Sequence, residues 1–288
     1  MPAVTKLKLF LEKTKTDFSS ENTDLFDWLQ DRNLKIENLG QFDNSGRNIP
    51  NVVTNSVESK VIEKLNLESA VSLEEYDAIF EKLVDLVNLP AGQLEKQSEL
   101  YLEQQLSDIL GFDIVAELEN HRLNHTTGVM RPEPHLKRYP NDELKNHSNV
   151  LEASIAKSRS AFGWFVNHGS ITPEAESLER YYFSLKLYNL KNWSSQYKEL
   201  KQWYKFRKMV VINPSERVAV VGIVGNIDHQ NQLKKQFGAS PEVIREGKIW
   251  SPKSQGKVLI MFVDDPENKI SLGPIHFDQL FKKEPSEQ

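Results

Sequence analysis

The chain has no cysteine. That excludes disulfides, thiol catalysis and cysteine zinc sites, and it leaves the compartment unassigned. A strong charge excess is also lacking. The formal net charge is −5 over 288 residues, so bulk charge nominates neither nucleic acid nor a membrane surface as partner. No apolar run approaches the ~18 residues of a membrane span. The opening residues, MPAVTKLKLFLEKTKTDF, have no apolar stretch of signal-peptide length and are interrupted by lysines. These absences predict cytoplasmic synthesis, no signal peptide and no membrane insertion; action outside a cell would need lysis or leaderless export. Internal repeats and low-complexity tracts are missing too. So are G-x-G-x-x-G, a P-loop and H-E-x-x-H, and no cofactor is expected.

What is present divides the chain. Hydrophobic residues make up 39% and aromatics 9%, enough for a core, and the length fits roughly two domains of ~150 residues. Residues 1–120 read as an acidic helical region. Residues 1–56 within it are polar, with a short helix in SSENTDLFDWLQDRN capped by Asn22 or Thr23, and a loop in QFDNSGRNIPNVVTN. From Val57 to Asn120 there are fifteen acidic and four basic residues. Ser72 and Glu75 form a capping box. Tyr76, Ile79, Phe80, Leu83, Leu86 and Val87 then share one helical face. A second helix carries Leu94, Leu100, Leu102, Leu106, Ile109 and Leu110 and ends at Gly111. The spacing predicts that 57–118 is helical and holds no strand. The acids read as a solvated face.

Residues 121–170 read as irregular, with prolines at 132, 134 and 140 that forbid a long helix. Residues 171–288 read as a barrel domain, with helices over 173–206 opened by Thr172-Pro173-Glu174. The period then changes. KMVVIN and RVAVVGIVG flank the turn PSE as a hairpin, and GKVLIMFVDD is a further strand, closed by Asp265-Pro266. The long strand is apolar throughout, as burial on both faces requires. Gly222 and Gly225 allow close backbone approach or a bulge. Ser240 caps a helix with Pro241 at its first position. The fold class is α+β: a helical N-terminal region, then a small β-barrel with inserted helices.

The stretch KMVVINPSERVAVVGIVGNIDHQNQLKKQFGASPEVIREGKI resembles the core of a double-psi β-barrel of the rare-lipoprotein-A-like and expansin-like families, over about 205–266. The family pattern is a strand ending in an Asn-Pro turn, a long Val-rich strand ending in an acid, a serine-opened helix and a closing strand. SAFGWFVNHGS would supply a first strand. The resemblance implies binding, and acid-assisted cleavage, of a cell-wall-type polysaccharide or peptidoglycan. One departure stands out: the family's catalytic acid falls on Asn226, and an amide cannot donate a proton. A small register shift makes Asp228 the acid, with Asn226, His229, Ser240, Trp164 and Tyr204 as binding residues. On the other reading the barrel is degenerate and the chain is a non-enzymatic protein-interaction or scaffold protein, and the polar loop only turns the chain.

Two further constellations stand beside this one. His121 and His125 are four apart, and His135 with Glu119 or Glu133 would complete a zinc set. Thr126-Thr127-Gly128 breaks that helix directly after His125, so the histidines read as exposed residues at a helix end and no metal is expected. From Arg180 to Lys208 eight basic residues face one acid, interleaved with Tyr181, Tyr182, Phe183, Tyr188, Trp193, Tyr197, Trp203, Tyr204 and Phe206. Such rings stack on bases or sugars. At helical spacing most are core residues, and the modest charge disfavours nucleic acid.

Overall fold

A computed structural model describes residues 73–147, 153–166, 171–228 and 235–281. The chain divides into a unit spanning 1–68, wholly outside those residues, and a unit spanning 69–288. The expected Asn22 or Thr23 cap, the Ser72 half of the capping box and His229 lie outside the described residues. No helix among the described residues is long and apolar enough to cross a membrane.

Six strands close into a mixed barrel. They are β4 (Thr127–Pro132), β5 (Tyr182–Leu185), β6 (Lys208–Asn213), β7 (Val218–Ile227), β8 (Phe237–Ala239) and β9 (Lys257–Val263). The ring order is β4-β8-β5-β7-β6-β9 and back to β4. Pairs β4–β8 and β5–β7 are parallel; the other four are antiparallel. Every ring strand from the first half of the series (β4, β5, β6) pairs only with strands from the second (β7, β8, β9). Short β1 (Ile114–Val115) adds to β9, and β10 (Gly273–His276) adds to β7. A separate pair joins β2 (Glu117–Leu118) to β3 (His121–Arg122).

Alternation along the strands builds two cores. Met209, Val211, Val220, Val224, Val258, Ile260 and Phe262 join Met130, Phe183, Leu185, Phe237 and Ala239 in one cluster fed by all six strands, as an inner wall is. Val210, Ile212, Ala219, Val221, Leu259, Met261 and Val263 point the other way. That outer face is covered by α1 (Leu73–Asn88), α2 (Lys96–Leu110) and α6 (Phe277–Phe281). Tyr76, Ile79, Phe80, Leu83 and Val87 of α1 are all buried there, on the face their spacing predicts. Strands apolar on both sides are thus what this sandwich of helix, wall and interior needs.

The remaining helices are α3 (Pro173–Arg180), α4 (Trp193–Tyr204) and α5 (Pro241–Glu246). Thr172 caps α3 by accepting from Ala175 N–H at 3.1 Å. Ser240 caps α5 by accepting from Val243 N–H at 3.2 Å, and its own hydroxyl donates to Arg180 O at 2.6 Å.

Three expectations are corrected. The segment 57–118 is not free of strand: Gly111 (φ 76°) ends α2, and Ile114 and Val115 then pair with Val263 and Phe262. Residues 173–206 are not all helical, because α3 stops at Arg180 and Tyr182–Leu185 enter the barrel as β5. The aromatic pair favours a strand, and β7 leaves room for it. A Cβ on Gly222 would lie 2.4 Å from Tyr181 O, and one on Gly225 would lie 2.6 Å from Tyr182 Cβ. Third, the described part of SAFGWFVNHGS forms a tight Ser160–Gly163 bridge instead of a ring strand. The first ring strand is β4, inside the stretch that reads as irregular. Its prolines are compatible with this because Pro132 ends the strand and Pro134 and Pro140 follow it.

Candidate functional site

The long strand β7 delivers its polar end to a buried ionic cluster. Asp228 follows Ile227, donates its backbone N–H to Leu185 O at 2.9 Å and is 4% exposed. Its Oδ2 lies 3.2 Å from Lys235 Nζ, and Lys235 also contacts Glu133 Oε1. Glu133 follows β4, and its N–H donates to Ala239 O at 2.8 Å, so three ring strands converge here. One ammonium thus faces two carboxylates. Burial pushes the Glu133 carboxyl up, the Lys235 hydrogen bond and charge oppose that shift, and Asp228 reinforces it. Asn226, the position matching the family's acid, is engaged: its Oδ1 accepts from Ala161 N–H at 2.9 Å and ties the 160–166 loop to the barrel end.

The other sequence-nominated residues do not join this cluster. Tyr204 is fully buried, and its hydroxyl donates to Arg122 O at 3.3 Å. Ser240 is the α5 cap. Trp164 is half-buried in the 160–166 loop, next to Phe165, whose ring stacks on Phe206 at 5.6 Å. The histidines separate as well. His121 stacks on Trp203 at 3.9 Å, with its Nδ1 2.8 Å from Glu119 O. His125 sits beside Lys186; burial, then that lysine, lowers its affinity for a proton.

His135 belongs to a second, wholly different cluster. Its Nδ1 is 3.3 Å from Glu179 Oε1, and His147 Nδ1 is 3.1 Å from Glu179 Oε2. His147 Nε2 is 3.0 Å from Asp142 Oδ2, and Arg138 donates to both oxygens of Asp142, at 2.8 and 3.1 Å. Arg138 holds the Asp142 carboxyl below the usual carboxylate range against the opposing effect of burial. Burial likewise pushes Glu179 up, but hydrogen bonds from His135 and His147 bring it down overall.

Sequence reading missed Lys235, Arg138, Asp142, Glu179 and Glu242. Glu133 was in view only as a metal ligand. His147 follows the histidines singled out in the sequence but was not among them, and Glu179 is 44 residues from His135, so only the packing of α3 brings it there. In the aromatic segment Tyr182, Phe183 and Tyr204 are core, and Tyr181 donates its hydroxyl to Glu246 Oε2 at 2.9 Å. Compared with known proteins, the chain matches no family model, no curated protein and no solved structure.

Proposed function

We propose that this protein is a recognition module on a barrel of double-psi type, and that its ligand is a cell-wall-type polysaccharide or peptidoglycan. The observation that carries this is the closed ring itself. The quoted stretch supplies β6, β7 and α5 in the order of the family pattern, with the short β8 added before α5, and β9 closes the ring after them. The interleaving of early and late strands, with two parallel pairs, supports the double-psi assignment. Asp228 and Asn226 are both committed to internal contacts, which favours binding over turnover.

One observation supports a catalytic second reading. Glu133 shares Lys235 with Asp228, and burial raises its carboxyl, which is the direction a general acid needs. On that reading Glu133 donates the proton, or Asp228 does so after Lys235 moves away.

A pull-down on purified peptidoglycan followed by muropeptide analysis tests both. The expected result is retention on the polymer with no new muropeptides. New muropeptides that vanish in Glu133→Gln or Asp228→Asn would establish cleavage instead. Loss of a general acid costs ~10²–10⁴ in rate, far more than a binding contact. Failure to bind would reject the cell-wall reading and favour a protein-interaction scaffold.

A further inference from the structure

The segment from Glu133 to His147 has little regular structure, yet Arg138, Asp142 and His135 in it are each at most 1% exposed. A single helical turn, Leu144–Asn146, folds the chain back so that the rings of His135 and His147 lie 4.7 Å apart. Ionisable neighbours reach these rings from every side. Arg138 and Asp142 belong to the segment itself, with Tyr139 beside Arg138. Glu179 stands in the last turn of α3, followed by Arg180. Glu242 stands in the first turn of α5, with Oε2 3.8 Å from His135 Nδ1, and its charge also acts on Arg180. Tyr182 of β5 is buried within reach of the Glu179 and Glu242 charges, and its hydroxyl donates to Pro134 O at 2.5 Å.

The protonation of His147 is set by its partners. Both ring nitrogens meet carboxylate oxygens: Nδ1 is 3.1 Å from Glu179 Oε2, and Nε2 is 3.0 Å from Asp142 Oδ2. An ionised carboxylate only accepts, and both of these are ionised. Asp142 accepts Arg138 Nε at 2.8 Å, Nη2 at 3.1 Å and the Arg138 backbone N–H at 3.0 Å, which hold its carboxyl low against burial. Glu179 also accepts Leu136 N–H at 3.0 Å, and the two histidines outweigh the upward push of burial. A neutral imidazole has one N–H and one lone pair. Whichever nitrogen of His147 kept the proton, the other would aim its lone pair at a buried carboxylate. This ring therefore needs both protons to sit where it does.

His135 is placed differently. Its Nδ1 is 3.3 Å from Glu179 Oε1, and one proton there satisfies the contact. Burial opposes a second proton and so does Arg138, but the hydrogen bond and charge of Glu179, with the charge of Glu242, prevail and raise its affinity for one. Rings this close, sharing one carboxylate, titrate as a pair.

We propose that this pair is a proton-operated latch: an imidazolium at His147, clamped between Glu179 and Asp142, holds the segment up to His147 against α3, and loss of its proton at alkaline pH releases the segment. The latch adjoins the other ionic cluster, because Glu133, two residues before His135, contacts Lys235. A proton bound more tightly in the folded chain than in the unfolded one, where imidazole titrates near 6.5, stabilises the fold fully below that value. The contribution is lost as pH rises through the folded value. The proposal does not depend on the cell-wall reading.

The test uses the full chain. Imidazole nitrogen spectra at pH 7.5 should show at least one of the seven histidines with both nitrogens protonated. In urea, the unfolding equilibrium constant should rise with pH above about 6.5, by up to tenfold per pH unit for each proton lost. Amide exchange of 136–147, corrected for its intrinsic pH dependence, should speed over the same range while β6, β7 and β9 stay protected. Glu179→Gln puts an amide donor beside Nδ1 of a neutral His147, so it should flatten the rise and abolish the doubly protonated ring. If that variant does not fold, the wild-type spectra and pH series decide alone. Single protonation of every ring at pH 7.5, an unfolding constant that is flat from pH 6 to 9, or a folded Glu179→Gln with an unaltered pH profile would overturn the proposal.

Discussion

At the scale of the residue, Lys235 is the side chain on which most depends for its size. Its ammonium contacts both Asp228 and Glu133, and the residue is 4% exposed. Removing one partner of a buried ion pair leaves the other as an uncompensated charge, which costs about 3–5 kcal/mol. Lys235→Ala should therefore lower the unfolding free energy measured in urea by that amount, with both carboxylates left without their shared ammonium. A loss under about 1 kcal/mol would mean that water reaches the cluster and screens it. The same residue shows where sequence reading stops. Asp228 stood out because it ends a strand. Lys235 did not, because nothing in QNQLKKQF distinguishes one lysine from the other. The partner that gives Asp228 its character is set by the return of β8, which no local pattern encodes.

At the scale of the element, the strand that closes at Asp265 ends in a built turn. Asp265 accepts Lys208 Nζ at 2.5 Å and the N–H groups of Lys269 and Ile270 at 2.8 Å each. Burial pushes its carboxyl up, but Lys208 and these backbone donors outweigh burial and lower it overall. A carboxylate lowered on folding stabilises the fold above its unfolded value near 3.9 and loses that contribution as pH falls through the folded value. Acid unfolding of the wild type should therefore steepen below about pH 4. Asp265→Asn should flatten that limb and cost about 1–3 kcal/mol at neutral pH; urea denaturation across pH measures both. An unaltered acid limb would show that other carboxylates set it. Legibility also follows element length. β6, β7 and β9 are long apolar runs, and their boundaries were readable within two residues. β5 has four residues directly behind a well-capped helix, and β4 ends in a proline. Short strands of this kind are fixed by the partners they find, here Gly222 and Gly225 opposite β5, more than by their own period.

At the scale of the whole molecule, the helical, aromatic and acidic signals sorted correctly into cover, core and surface for α1 and the barrel wall. The two ionic clusters did not emerge, because each joins segments that are far apart in the chain. Met130 pairs with Phe237, and Val129 N–H donates to Gln236 Oε1 across 107 positions. That long reach follows from the interleaving of β4, β5 and β6 with β7, β8 and β9, and it bears on how the chain acquires its fold. During synthesis the first three ring strands emerge with no strand of the ring to pair with. The nascent barrel must wait for its second half, and loop-closure entropy is spent before those contacts form. A chain cut at Pro214–Glu216 should give two halves that each lack the barrel when alone. Mixed together, they should recover native near-ultraviolet circular dichroism. A half that showed that signal alone would contradict the topology. In the intact chain, native signal should appear in one slow cooperative phase, because no ring pair can form until both halves are present.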